Sequence, residues 1–444
     1  MKLPDLYNCT IAVIGLGYVG LPLALEFSTR KKGCLTNIEL KRKVIGFDVN
    51  RLRIKELINK FDRTGEACEK QLKNADNIIF THNKELIKTA DVYIITVPTP
   101  INDNKEPDLK ASKEASLLVG ETLSERKSNT NPVIIYESTV FPGATEDIFI
   151  PIIQKNSGLR FNKDFFCAYS PERINPGDKS KRLKDIVKLT SGSNAECAKW
   201  VNSFYGSIID AGTFLTSSIR VAEAAKVIEN TQRDLNIALV NEFSYIFDQM
   251  NIDTLDVLDA ASTKWNFLNF KPGLVGGHCI GVDPYYLTWK CEQCGYKPKI
   301  VLSGREINEK MTSILLKKIV KNLKKFKITS KPPTILIFGI CFKEDCPDIR
   351  NSKVIEFIKL SIDLGFKINI YDPIADIEKL DKSLKKFVLN DFPSNNIYDV
   401  LFLAVPHKVF KEHKYEKYNS LLKSKGFILD LKGILGKKNN IVRP

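Results

Sequence analysis

The sequence of 444 residues predicts an α/β protein with two Rossmann-like α/β domains joined by a long central helix. Three observations predict it. The apolar run Thr10 to Ile14 enters the turn Gly15-Leu16-Gly17-Tyr18-Val19-Gly20 and continues into an apolar helical pattern, Leu21 to Phe27. A second alternation of strands and helices begins at Thr334 to Phe338. Between them, Val221 to Met250 repeats apolar residues every three or four positions, the period of one long helix. A chain this long exceeds one ordinary core. It divides into an N-terminal dinucleotide-type domain (1–215), a central helical domain (216–315) and a C-terminal α/β domain (316–444).

In chain order, strand, GxGxxG and helix form a dinucleotide fingerprint. Gly15 permits the tight turn, Gly17 lets a pyrophosphate approach the backbone, and Gly20 lets helix and strand pack closely. The helix N-terminus then attracts phosphate. Tyr18 and Val19 complete the loop. A second strand, Lys43 to Phe47, ends at Asp48, whose carboxylate can accept hydrogen bonds from ribose hydroxyls. An acid there disfavours a 2′-phosphate, so NAD is expected over NADP. The spacing from Gly20 to Asp48 is longer than usual, and the polar stretch Thr29 to Arg42 absorbs the excess. Arg53, one helical turn on, speaks for NADP or serves ribose or pyrophosphate.

The alternation continues. Asp91 to Val97 breaks at Pro98-Thr99-Pro100. Asn131 to Glu137 ends at Ser138-Thr139-Val140, with Pro142-Gly143 beyond. Phe165 to Tyr169 ends at Ser170-Pro171-Glu172-Arg173. Each strand delivers hydroxyl or acidic residues at its C-terminal end, where open parallel sheets hold their ligands.

On the long helix Lys226 and Asn230 are four apart and share a face. They face solvent or aim at a pocket. Arg233 and Asp234 look structural, and a helix of this length suits a bridge between domains and a dimer interface. Tyr296 to Asn322 is a further helix. The second α/β pattern has strands at Lys367 to Tyr371, Val400 to Val405 and Gly426 to Leu431. Its first turn, Gly339-Ile340-Cys341-Phe342, lacks the glycine fingerprint. Phe342, Lys343 and Arg350 occupy that loop, suiting a nucleotide base and a diphosphate.

Before this second pattern lies Gly276-Gly277-His278-Cys279-Ile280-Gly281-Val282-Asp283-Pro284. It sets one thiol among glycines with a carboxylate four residues on. A thiol so placed suits covalent acyl chemistry, whereas a cysteine taken at random is more often a small buried hydrophobe.

Composition narrows the classes. The net charge of +15 comes mainly from lysine, with no nucleic-acid module alongside it, and reads as a solvated surface with anionic ligands as a secondary influence. No window approaches a membrane span. The start, MKLPDLYN, is polar and unlike a signal peptide. Ten scattered cysteines fit a reducing cytosol, so a cytoplasmic protein is expected. Cys291 and Cys294 form a CxxC without a second pair, so no metal is expected.

The motifs GLGYVG, VPTP, STVFPG, SPERINPGD, the Lys226–Asn230 pair, GGHCIGVDP and FKEDCPDIRNS occur in the order of the UDP-glucose/GDP-mannose dehydrogenase family. The chain resembles that family over nearly its whole length. SPERINPGD and CPDIRNS look most like the branch that oxidises UDP-N-acetylhexosamines (UDP-GlcNAc or UDP-GalNAc) for surface polysaccharide. UDP-ManNAc or UDP-glucose are the alternative sugars. One departure is Pro176, where UDP-glucose enzymes carry a second glutamate.

The resemblance implies a four-electron oxidation of a sugar CH2OH to carboxylate, with two NAD+ used in sequence. Cys279 would form a thiohemiacetal and then a thioester. Lys226 would stabilise the oxyanion, Asn230 would hydrogen-bond the reacting oxygen, and Asp283 would orient water or assist proton transfer. Glu172 and Thr139 would position the water that acts as base in the first step. NAD contacts would come from the glycine loop, Asp48, Arg53, Val97, Pro98, Thr99, Ser138 and Thr139, with Arg350 nearby. Substrate contacts would come from Glu172, Arg173, Lys226, Asn230, Phe270, Gly273, Gly276, Phe342 and Lys343, and the partners expected are a UDP-sugar and a second copy of the chain. A two-electron 6-phosphogluconate-type enzyme, which needs no thiol, and an inactive NAD-binding protein are the competing readings.

Overall fold

The computed structural model describes residues 2–173, 182–277, 279–394 and 396–444. Pro176 and His278 lie outside them. The chain forms two compact units, Met1–Glu229 with Tyr285–Cys294, and Asn230–Pro284 with Gly295–Pro444.

In the first unit six strands form one parallel sheet: β1 (Thr10–Ile14), β2 (Lys43–Phe47), β3 (Ile78–Thr81), β4 (Val92–Ile95), β5 (Val133–Tyr136) and β6 (Phe166–Tyr169). Their order is β3-β2-β1-β4-β5-β6, that of a doubly wound dinucleotide-binding sheet. The central strands are buried on both faces, as in a parallel sheet covered by helices. The order reverses between β1 and β4, so the ligand crevice opens past Ile14 and Ile95. The strand expected over 91–97 stops at Ile95 because Thr96 turns there, its Oγ1 donating to the carbonyls of Ile14 and Gly15 at 3.0 and 2.7 Å. Strand β3 was not anticipated. It is only four residues long and lies at the sheet edge, with Ile79 57% exposed. A parallel pair, β7 (Lys188–Thr190) and β8 (Thr213–Leu215), stands beside this sheet.

Just past β5, Glu137 forms a buried ion pair with Lys188 at 2.6 Å and accepts the Tyr205 hydroxyl as well. The pair is compensated on both sides, the condition a buried charge requires.

The central helix runs Ile219–Gln249, within two residues of its expected ends. In the second unit it is followed by helix Thr254–Ala261, the cysteine loop and helix Lys299–Lys325. The last starts three residues later than the sequence suggests, because Gly295 is left-handed at φ 79° and Pro298 caps the helix. Asp234, as expected, is structural. It is buried, paired with Arg305 at 2.7 Å, and accepts from Asn308 at 2.7 Å.

Five more parallel strands follow: β9 (Thr334–Phe338), β10 (Lys367–Tyr371), β11 (Tyr398–Leu403), β12 (Leu422–Asp430) and β13 (Ile441–Val442). The order β10-β9-β11-β12-β13 is the other common doubly wound arrangement, with its switch point between β9 and β11. Strand β12 begins four residues before Gly426, where the sequence suggests a start. The register shifts between Tyr398↔Leu422 and Val400↔Phe427, so extra residues are taken into the strand.

Candidate active site

The glycine loop has the geometry a dinucleotide needs. Gly15 sits at φ 95°, and its N–H donates to the Phe47 carbonyl at 2.8 Å. A Cβ on Gly20 would lie 1.8 Å from the Gly15 carbonyl oxygen, whereas one on Gly17 would meet nothing within 4 Å. The third glycine is therefore a packing requirement and the second leaves open backbone for a ligand. Tyr18 and Val19 are half-buried beside it. Asp48, also half-buried, accepts Leu16 N–H on Oδ2 and Asn50 N–H on Oδ1, both at 2.8 Å. Each oxygen keeps a second lone pair, enough for a ribose diol. The residues present fit NAD. Arg53 is buried, donates Nε–H to the Leu16 carbonyl at 2.8 Å and pairs with Asp62 at 2.8 Å. It supports the fingerprint through the backbone of the loop.

The strand-end loops are tied to each other. Ser138 Oγ donates to the Val97 carbonyl at 2.6 Å, and Tyr169 OH donates to the Ser138 carbonyl at 3.1 Å. The buried Tyr286 hydroxyl lies 2.9 and 3.0 Å from the carbonyls of Thr99 and Pro100, holding the loop around Pro98. Thr139 is half-buried and Glu172 is buried. Arg173 donates to the carbonyls of Ala225 and Lys226 at 3.0 and 3.3 Å and pairs with Glu229 at 2.7 Å. In this structure it clamps the central helix at the turn that carries Lys226, itself 8% exposed.

One turn further along the helix, Asn230 donates Nδ2–H to Asp283 Oδ2 at 2.6 Å and accepts from Arg233 at 2.8 Å. Arg233, expected to be structural, orients the amide. Asp283 is 1% exposed and opens helix Asp283–Gln293. Its N–H and that of Val282 donate to the Cys279 carbonyl at 2.8 and 3.0 Å, closing a tight turn that leaves Cys279 half-buried. The structure therefore brings Asn230, Asp283 and Cys279 together within one unit.

The same unit holds the expected nucleotide contacts. Gly273 is clamped by Asn241, which accepts its N–H at 2.8 Å and donates to its carbonyl at 3.0 Å. Phe270 packs on the cluster Val240, Leu255 and Leu258. Lys343 Nζ lies 5.7 Å from the Phe342 ring centroid. Arg350 is exposed and ion-paired with Asp348 at 2.5 Å. Sequence reasoning missed Lys432. A Cβ on Gly273 would lie 2.3 Å from its Nζ. Burial pushes the Lys432 ammonium down to about 8, against the smaller opposing pull of Glu344. Its available signal was position, two residues beyond the end of β12, where open sheets hold ligands.

Three family models match in series: the NAD binding domain of the UDP-glucose/GDP-mannose dehydrogenase family over residues 9–209, its central domain over 220–310 and its UDP binding domain over 336–437. The chain belongs to the UDP-glucose/GDP-mannose dehydrogenase family. It is an NAD-dependent UDP-sugar dehydrogenase, which sets aside the two-electron 6-phosphogluconate-type reading. It is 47% identical to a UDP-N-acetyl-D-glucosamine 6-dehydrogenase of Pseudomonas aeruginosa, covering 98% of this chain and 99% of that one. It is 48% identical to Protein CapL of Staphylococcus aureus over 96% of each. Among solved structures, a UDP-D-ManNAc dehydrogenase from Pyrococcus horikoshii superposes with a TM-score of 0.82 at 27% identity, over 98% of each chain. Among the described residues no helix is long and apolar enough to cross a membrane.

Glu223, on the central helix, holds the loop that follows Thr139. It is fully buried and accepts the N–H groups of Gly143 and Thr145 at 2.5 and 2.9 Å. Desolvation dominates and raises its carboxyl to about 7, although these hydrogen bonds oppose the rise. A raised folded-state pKa means that the folded state binds the extra proton. Stability is therefore greatest below the ordinary carboxylate range and falls as pH rises through about 7. We expect the thermal midpoint to fall between pH 5 and pH 8. In Glu223→Gln that part of the slope should vanish in matched calorimetric scans, and an identical slope would reassign it to another group.

Proposed function

We propose that the protein oxidises the C6 CH2OH of a UDP-N-acetylhexosamine, UDP-GlcNAc or UDP-GalNAc, to the uronic acid for surface polysaccharide synthesis in the cytoplasm. The carrying observation is the Asn230–Asp283–Cys279 arrangement, a half-buried thiol in a glycine turn beside a buried carboxylate and an oriented amide. The gluco- or galacto-configured N-acetylhexosamine is supported by the 47% identity to a UDP-GlcNAc enzyme against 31% to a UDP-ManNAc dehydrogenase of Methanococcus aeolicus.

Bound NAD+ supplies the hydride acceptor, once in each half of the reaction. In the first half a water held by Glu172 and Thr139 takes the C6 hydroxyl proton as hydride leaves C6, giving an aldehyde. Cys279 then adds to the aldehyde carbon as thiolate, forming the C–S bond of a thiohemiacetal. Lys226 and Asn230 stabilise the oxygen anion, an electrostatic contribution that is large in a buried site. Loss of the second hydride from that carbon leaves a thioester. Asp283 directs water onto it, breaking the C–S bond to give carboxylate and free thiol. Lys432 would meet the diphosphate, since a half-buried, desolvated ammonium is stabilised by an anion.

The test is a panel of UDP-GlcNAc, UDP-GalNAc, UDP-ManNAc and UDP-glucose followed by NADH absorbance. We expect two NADH per sugar, with UDP-GlcNAc or UDP-GalNAc as the best substrate, and UDP-ManNAc as the best would reject that choice. UDP-glucose as the best substrate would reject the branch. In Cys279→Ala the yield should fall to at most one NADH per sugar, with aldehyde retained or released, and undiminished turnover would remove the thioester.

Replacing Lys432 with Met should raise the KM for the UDP-sugar about tenfold or more, the scale of a lost charged hydrogen bond. The KM for NAD should stay within about twofold, and equal changes in both would argue against a diphosphate contact.

We further propose a homodimer through the central helix. Val221, Ile228, Leu239 and Ile246 are 46%, 54%, 48% and 37% exposed. At about 100° per residue they fall within roughly 20° of one another around the helix, an exposed apolar stripe interrupted by Gln232. Leu239→Glu should convert a dimer to a monomer in light scattering, whereas an unchanged mass would place the interface elsewhere.

A further inference from the structure

The two domains share a device. In the first, Gly15 N–H donates to the Phe47 carbonyl at 2.8 Å and Leu16 N–H to Asp48. In the second, Gly339 N–H donates to the Tyr371 carbonyl at 3.0 Å and Ile340 N–H to Asp372 Oδ2 at 2.7 Å. The carboxylates stand at equivalent strand ends, but their remaining partners differ. Asp48 is half-exposed. Asp372 is 6% exposed, and its Oδ1 accepts the N–H groups of Ile374 and Ala375 at 2.9 and 3.0 Å. Its Oδ2 lies 3.2 Å from His407 Nε2 and 3.4 Å from the Cys341 sulfur.

His407 is fully buried past β11, at the switch point of the second sheet. Its Nδ1 accepts the Asp345 N–H at 2.9 Å, so in the neutral ring the proton is on Nε2 and points at Asp372. A side chain thus fills the place that Asp48 leaves open for ribose. Cys341, Asp372 and His407 also bring three metal-ligand types within 4.8 Å of one another. The His407 and Asp372 lone pairs are already committed, and Cys341 stands as a thiol donating to Asp372, its proton held on by burial. A cation on Nε2 would require an anionic ring or loss of the Asp345 bond, and Asp372 accepts on both oxygens.

What the imidazole holds is the loop after β9. Asp345 is gripped again where its Oδ1 accepts the Lys408 N–H at 2.9 Å, and Phe342 N–H closes the loop on the Asp348 carbonyl at 3.1 Å. The cysteine loop lies directly on this one. A Cβ on Gly277 would be 2.7 Å from the Phe342 ring, and one on Gly276 would be 2.6 Å from the Asn351 carbonyl oxygen. Asn351 Nδ2 donates to the Gly277 carbonyl at 3.3 Å. There is no slack between the loops.

We propose that His407 is a positioning residue for the UDP-sugar reaction, hooking the Asp345 N–H so that the loop 342–351 fixes both the nucleotide contacts and the seat of the cysteine loop. This rests on the reading above in which Phe342 and Lys343 meet substrate and Cys279 reacts.

Two variants separate the hook from mere bulk. In His407→Asn the side-chain oxygen falls near the place of Nδ1 and can keep the Asp345 bond. In His407→Gln the amide nitrogen falls near the place of Nε2, keeps the Asp372 bond and loses the hook. Three quantities are read on the full-length protein: KM for the UDP-sugar, KM for NAD, and the iodoacetamide alkylation rate of Cys279 by peptide-resolved mass spectrometry. The Gln variant should show a UDP-sugar KM raised about tenfold and an alkylation rate changed at least threefold, with the NAD KM within twofold. The Asn variant should stay within threefold of the parent throughout. Matching behaviour of the two variants, in loss or in retention, overturns the proposal. So does a tenfold rise in KM in the Asn variant, which decides the matter should the Gln variant fail to fold. Stoichiometric metal in the parent, with a Cys279 alkylation rate that changes on chelation, overturns it too. If the parent turns over no UDP-sugar the substrate reading falls, and the alkylation arm still decides on the hook.

Discussion

The hydrogen bond from Asn230 to Asp283 is the constraint on which the cysteine loop depends. Both groups are buried, at 5% and 1% exposed, and an unmatched carboxylate there would be costly. The Asp283 carboxylate receives the Asn230 amide at 2.6 Å and stands in the first turn of a helix whose dipole favours an anion, while its backbone N–H closes the turn on the Cys279 carbonyl. Arg233 donates to the Asn230 oxygen, which fixes the amide with its nitrogen toward the acid. A cation, an amide and a carboxylate are thus strung in line from the central helix to the thiol turn. The rigid helix sets where Cys279 sits, and the glycines around the thiol leave it accessible.

Most of the architecture was legible because parallel strands buried on both faces must be apolar throughout. TIAVI, KVIGF and TILIF coincide with their strands residue for residue. The edges were not legible. Strand β3 has only four residues, β13 has two, and β12 takes in Lys423 to Lys425 through a register shift. Such elements are set by partners distant in sequence, which no local period records. The site was legible where backbone chemistry demands a residue type, as at Gly15, Gly20 and Asp48. It was also legible where motifs match a family, as at Cys279 and Asp283. It was silent at Lys432, His407 and Glu223, each a lone titratable residue whose meaning comes only from what folding brings beside it.

The loop carrying Ser138 and Thr139 shows how such silent residues act. Before it, Glu137 is locked by Lys188 and Tyr205. Beyond it, Glu223 receives the N–H groups of Gly143 and Thr145. Both carboxylates are buried, but their compensation differs in kind. Glu137 faces a cation at 2.6 Å, so its charge is matched. Glu223 has amide dipoles and the like charge of Glu146, and burial therefore raises its carboxyl to about 7. The loop is thus pinned firmly at the strand and more weakly at the helix. A proton on Glu223 removes an acceptor from one amide and relaxes only the far end, leaving the Ser138–Val97 bond in place. The proton on Glu223 therefore bears on the half of the loop beyond Thr139, and the half that borders the dinucleotide crevice is tied to the sheet through Ser138 and Val97.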